Sequence, residues 1–135
     1  MLELLRVRRI LEPAAAAMAA EVITDEQVQG LHELLGRLGP HPDVDALVAN
    51  DLEFHRRISA YSGNSALWSL LDSLSGPATR ARFCRSVVQR GGTERRLAEH
   101  RAILDALISR DPDVARSWST VHVASVEHDW LTSLL

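Results

Sequence analysis

Four side chains of this 135-residue sequence are of the kinds that hold a metal ion, yet they fall where aliphatic residues are expected. Asp51 and His55 lie four residues apart, so in a helix both project from one face. Leu47, Phe54 and Ile58 belong to the same face. His100 sits among Leu97, Ile103 and Leu104, and His122 between Trp118 and Val126. Burying a carboxylate and three imidazoles is costly unless they are paired or bound to a cation. One divalent ion would meet that cost for all four, and three nitrogens with one oxygen suit Zn, Ni, Fe, Mn or Co. Each residue also has a plainer reading, as a hydrogen-bonded core histidine or, for Asp51 with His55, a local charged hydrogen bond. Spacing alone does not show that the helices meet, so both readings stand at this point.

The elements that must position these residues are all helical in pattern. From Leu2 to about Glu21, apolar residues recur at helical spacing: Leu4, Val7, Leu11, Ala15, Met18 and Ala19. Pro13 lies inside this run and is expected to kink it. Thr24 and Gln27 form a capping box that opens a second helix carrying Val28, Leu31, Leu34, Leu35 and Leu38. Gly39-Pro40-His41-Pro42 stops it, and a third helix begins near Asp43 and continues past Tyr61 to Ser62-Gly63-Asn64. Leu67, Leu70, Leu71 and Leu74 mark a short helix closed by Gly76-Pro77, and the Arg-rich stretch 78–90 forms another. Thr93 is the expected N-cap of the helix that carries His100. Asp111 caps the last helix, with Pro112 at its first position and Ala115, Trp118, Val121, His122, Ser125 and Val126 on its inner stripe. The expected fold is a single all-α domain, an antiparallel bundle of six or seven helices.

Composition narrows the function. Hydrophobic residues make up 46% of the chain, which excludes disorder as its default state. Its 15 basic residues are all Arg, and a net charge of −3 argues against a large phosphate-binding surface. A single cysteine, Cys84, excludes a disulfide framework and a Cys-rich zinc module; Arg82 and Arg85 beside it could lower its pKa, against the plainer reading of a half-buried small residue. Arg6, Arg8, Arg9 and Glu12 interrupt the apolar start, so neither a membrane span nor a signal peptide is expected and the protein reads as cytoplasmic.

Asp51-Leu52-Glu53-Phe54-His55-Arg56-Arg57-Ile58, followed by Ser62-Gly63-Asn64, resembles the D-x-x-F-H-x-x-I…SGN signature of the FCD domain. That domain is the C-terminal effector domain of FadR-subfamily GntR transcriptional regulators. Arg8 to Pro13 resembles the R-x-x-L-E opening of the family, Glu99 to Leu107 its E-H-x-x-I-x-x-A block, and Asp111 to His122 its D-x-x-x-A…H segment. Arg110 stands where the family usually has Gly. The resemblance implies that one Asp and three His hold a divalent ion inside the bundle, at Asp51, His55, His100 and His122. It implies a small organic acid as effector, a homodimer, and DNA contact only through an N-terminal winged helix that this chain, starting where the effector domain starts, is expected to lack.

Other signals are weaker. His41-Pro42-Asp43 has the letters of a J-domain loop without the basic helix before it, and His128-Asp129 those of an HD phosphohydrolase without its partners. Paired Glu-x-x-His motifs of a di-iron bundle are missing. His32, His41 and His128 read as solvated, as do Arg56, Arg57, Arg95, Arg96 and Arg101. A guanidinium beside a metal suits a carboxylate ligand, which makes Arg8 the leading effector anchor and Arg80 or Arg82 weaker ones. Two further classes compete with the sensing domain: a stand-alone metalloenzyme using a metal-activated water, and a dimerisation module with a purely structural metal. The enzyme needs a general base, and no carboxylate other than Asp51 is expected on the site faces, since Glu99 should point about 100° away from His100 along its helix.

Overall fold

The computed structural model describes residues 2–74 and 77–135. Seven helices follow one another: α1 (Leu2–Val22), α2 (Asp25–Gly36), α3 (Val44–Tyr61), α4 (Ser65–Leu74), α5 (Pro77–Gln89), α6 (Thr93–Ile108) and α7 (Pro112–Ser133). Among the described residues there is no strand. The all-α architecture therefore agrees with the periodicity of the sequence. The stop expected at Gly76 lies outside the described residues.

Local chemistry fixes most boundaries. The Thr24 hydroxyl accepts from Gln27 N while the Gln27 side chain accepts from Thr24 N, which closes the capping box of α2. Asp43 caps α3 by accepting from Ala46 N, and Asp111 caps α7 by accepting from Asp113 N and Val114 N. One expectation shifts by a residue. Gly92, with φ of 80°, is the N-cap of α6 and Thr93 its first residue, because a left-handed turn at that point is open to glycine and strained for threonine.

α1 packs against α3, α4, α6 and α7, and its closest companion is α7. Ala15, Ala16, Ala19 and Ala20 are buried there, and such small side chains let helix axes approach closely. Ala16, Ala19 and Ala20 join Ile23, Leu31, Leu34, Phe54, Ile58, Ile103 and Leu107 in the main core. A second cluster joins Leu5, Val87 and Val126. α1 runs as a helix straight through Pro13 to Val22.

The inner faces of α1 and α7 differ from the hydropathy stripes. α1 buries Leu5, Arg8 and Glu12 and leaves Val7 and Met18 partly exposed, because the Arg8–Glu12 pair neutralises itself and its polarity is satisfied within the bundle. On α7 the inner face is Ala115, Ser119, His122, Val123 and Val126, whereas Trp118 and Val121 are 40% and 49% exposed. Ala115 and Ser119, small residues four apart, seat α7 against the alanines of α1, and a tryptophan does not fit there.

Candidate metal centre

α3, α6 and α7 bring Asp51, His55, His100 and His122 together. The Nε2 atoms of the three histidines lie 3.2 Å (His55–His100), 3.3 Å (His100–His122) and 3.2 Å (His55–His122) apart. Asp51 Oδ1 is 3.4 Å from Nε2 of both His55 and His100. One ligand-capable atom from each of the four residues falls within 4.8 Å of every other. Donors about 2.1 Å from a common ion stand roughly 3.0–3.4 Å apart at octahedral to tetrahedral angles, so this spacing fits a cation.

The surrounding groups set the histidines in the form a cation needs. His122 Nδ1 donates to Glu99 Oε1 at 3.1 Å, which leaves the lone pair of its ring on Nε2, facing the cluster. Ser125 holds Glu99 in turn, donating at 2.8 Å to Oε1. His55 Nδ1 faces Glu12 Oε2 at 3.9 Å. Burial pushes His55 down to about 3 against the pull of Asp51, and His100 down to about 4, so both rings are neutral at pH 7. Burial alone would raise the Asp51 carboxyl, but Arg96 and His55 override it and hold it well below the usual range. The Asp51 carboxylate and the neutral His55 and His100 rings are in the forms that coordinate metals, and the His122 Nε2 lone pair faces the same point.

Guanidinium groups ring one side of the cluster. Arg8 donates through Nε to Glu12 Oε1 at 2.7 Å, and Arg80 Nη1 reaches the same oxygen at 3.1 Å. Glu12, pinned between them, is held far below the usual carboxylate range once Arg8 and Arg80 override the effect of burial. Arg96 Nη2 donates to Asp51 Oδ1 at 3.1 Å. Arg8, Arg80 and Arg96 border a narrow gap beside Asp51, His55 and His122. Arg82 is exposed on α5 and borders none of the described cavities, so its expected effector role is not carried forward.

Three participants escaped the sequence reading. Arg96 was assigned to a solvent face and is 5% exposed, because Asp51 supplies the charge that lets it turn inward. Glu99 does point away from His100, but toward His122 on the neighbouring helix. Glu12 lies one turn after Arg8, and that i, i+4 pairing was the signal available for it. Carboxylates other than Asp51 thus do reach the site. Cys84 is buried beside Arg96, and burial together with Asp51 pushes its thiol up to about 12, the reverse of activation by neighbouring arginines. His32, His41 and His128 are exposed, as expected.

Comparison with known proteins adds to this geometry. The HTH-type transcriptional repressor NanR of Klebsiella aerogenes is 31% identical over 130 residues, covering 93% of this chain and 49% of that protein. NanR of Salmonella newport is 32% identical over 129 residues, with the same coverage. The chain therefore spans about half the length of these curated relatives. A GntR of Streptococcus agalactiae shares the fold with a TM-score of 0.72 and 29% identity, over 94% of this chain and 57% of that one. The FCD domain family matches residues 3–125, nearly the whole sequence and all four clustered ligands, and the chain belongs to that family.

Proposed function

We propose that this chain is the metal-dependent, carboxylate-sensing domain of a GntR-type transcriptional regulator. The observation that carries the reading is the convergence of Asp51, His55, His100 and His122 on one buried point. These four would hold a divalent ion of the Zn, Ni, Fe, Mn or Co group. When bound, the ion supplies Lewis-acidic positions for an anionic oxygen. The chain's own residues do the rest. Asp51 is fixed by Arg96, and His122 by Glu99 and Ser125, so the donors are preorganised. Arg8 and Arg80 place positive charge beside the cluster, where burial strengthens their attraction for a carboxylate.

Five helices, α1, α3, α5, α6 and α7, border this point, so an acid seated among them shifts their relative packing. In a homodimer with winged helices attached, that shift would alter the spacing of two DNA-reading domains. The sensing role is favoured over catalysis because the two added carboxylates are engaged: Glu12 between two guanidinium groups, Glu99 with His122 and Ser125. Glu99 is spent on His122 and Ser125; Glu12 keeps an unpartnered Oε2, but the two guanidinium groups hold its carboxyl far below the usual range, which makes it a weak base. The relatives named above are repressors, which supports the same side.

Elemental analysis of protein never exposed to a nickel column tests the reading. About one divalent ion per chain is expected, with His100→Ala largely empty. Equal sub-stoichiometric metal in the wild type and His100→Ala would overturn it.

A further inference from the structure

Across His55 from the gap bordered by the arginines, a cavity of about 90 Å³ opens between α1, α3, α4 and α5, bordered among others by Glu12, His55, Trp68, Leu71 and Arg80. Two of the residues that border it, Arg80 and Trp68, have buried donors with no acceptor. Arg80 gives Nη1 to Glu12, whereas its Nε and Nη2 are both buried and unpartnered. Those two atoms form the side edge of the guanidinium, whose parallel N–H groups match the two oxygens of a carboxylate. Trp68 Nε1, a donor only, is also buried without an acceptor. Unfilled buried donors are costly, more so on a charged group, and a convergent set of them calls for an acceptor.

Charge leads to the same ligand. Around the cluster, Arg8, Arg80 and Arg96 are balanced by Glu12, Asp51 and Glu99. With imidazoles as neutral ligands, a divalent ion therefore leaves two positive charges in a buried region, one more than a single carboxylate removes. Size sets the limit. At about 90 Å³ the cavity has room for a carboxylate group. Glu12 also borders this cavity; its Oε1 is held by two guanidinium groups and its Oε2 has no hydrogen-bond partner, so the incoming carboxylate is seated on the Arg80 and Trp68 side, away from that oxygen.

We infer that the sensed acid is a short dicarboxylate, one carboxylate at the metal-bearing cluster and the other gripped by the side edge of Arg80 and the indole N–H of Trp68. This rests on the carboxylate-sensing reading above and adds its second anchor. Because His55 and Arg80 border both spaces, a short linker joins the two carboxylates.

Calorimetric titration of the metal-loaded chain with butanoate and with butanedioate, acids of equal length, tests the inference. Butanedioate is expected to bind at least about ten-fold tighter, the effect of one charge-assisted contact. Trp68→Phe keeps the ring and removes the N–H; Arg80→Lys keeps the charge and removes the fork. Each is expected to cut the preference for butanedioate several-fold, with metal per chain unchanged. Equal affinity for the two acids in the wild type overturns the inference and leaves carboxylate sensing intact, and so does a preference that survives both substitutions. If neither acid binds a chain that holds its metal, carboxylate sensing itself fails and the second anchor goes with it.

Discussion

Glu99 never faces the cluster, yet it decides which nitrogen of His122 does. Its carboxylate accepts from Nδ1 at 3.1 Å, so Nε2 is the atom with a lone pair to give. Glu99→Ala removes that orientation while leaving all four ligands, and is expected to weaken metal affinity about 10- to 100-fold, measured by competition with a chromogenic chelator. Protonation provides a second check at the same residues. His55 and His100 stand at about 3 and about 4 in the folded chain against an ordinary 6.5, so below 6.5 the unfolded chain takes up protons that the folded one refuses. Their contribution is therefore present above pH 6.5 and is lost as pH falls toward 4. The depressed carboxylates Asp51 and Glu12 add a further loss at still lower pH, through the ordinary carboxylate range and below. The melting temperature of metal-free protein should drop steadily from pH 7 to 4; a flat profile from 7 to 5 would contradict the burial of these rings.

The helices show why hydropathy locates elements better than faces. On α1 and α7 the expected Ala15, Ala19, Ala115, His122 and Val126 do face inward, whereas the bulkier Val7, Met18, Trp118 and Val121 of the same stripes face outward. The link between α6 and α7 carries a different constraint. Arg110 has φ of 53°, in the left-handed region that costs a side-chain-bearing residue about 1 kcal/mol or more relative to glycine. Its guanidinium reaches the Ile23 carbonyl and, at 2.7 Å, Asp25, which ties this turn to the start of α2. Both Arg110→Gly and Arg110→Ala lose those contacts, so their difference isolates the backbone. Arg110→Gly should melt roughly 3–5 °C above Arg110→Ala in a thermal scan. Equal melting would show that the turn relaxes without strain.

The four clustered residues come from α3, α6 and α7, which are joined by no short connection other than the α6–α7 turn, so an ion held there would cross-link distant parts of the chain. Because the site exists in the native state and is scattered in the unfolded one, binding adds directly to stability. At free ion near 1,000 times Kd the gain is about 4 kcal/mol, or roughly 10 °C or more for a domain of this size. Stripping the ion with a chelator should lower the melting temperature by that amount, and readdition should restore it. His100→Ala should show no such shift. A chelator that left the wild-type melting temperature unchanged would remove the ion from any part in holding the bundle together.

The helix count, the caps at Thr24 and Asp111, the start of α3 near Asp43, and the presence of Asp51, His55, His100 and His122 on inner faces were all legible in the sequence. Periodicity and capping are local properties, carried by residues within a turn or two of each other. What brought the four residues to one point was packing between helices far apart in the chain; His55 and His122, for example, are separated by 67 positions. The same packing turned Arg8, Arg96, Glu12 and Glu99 inward. Arg8 and Glu12 pair along one helix, but the partners of Arg96 and Glu99, Asp51 and His122, arrive from other helices and are invisible along one stripe of sequence. The sequence alone therefore determined which helices form and which residues could bind a metal. The tertiary structure alone decided how the ligands cluster, which charges neutralise one another beside them, and that Arg80 and Trp68 are left facing a cavity with donors unfilled.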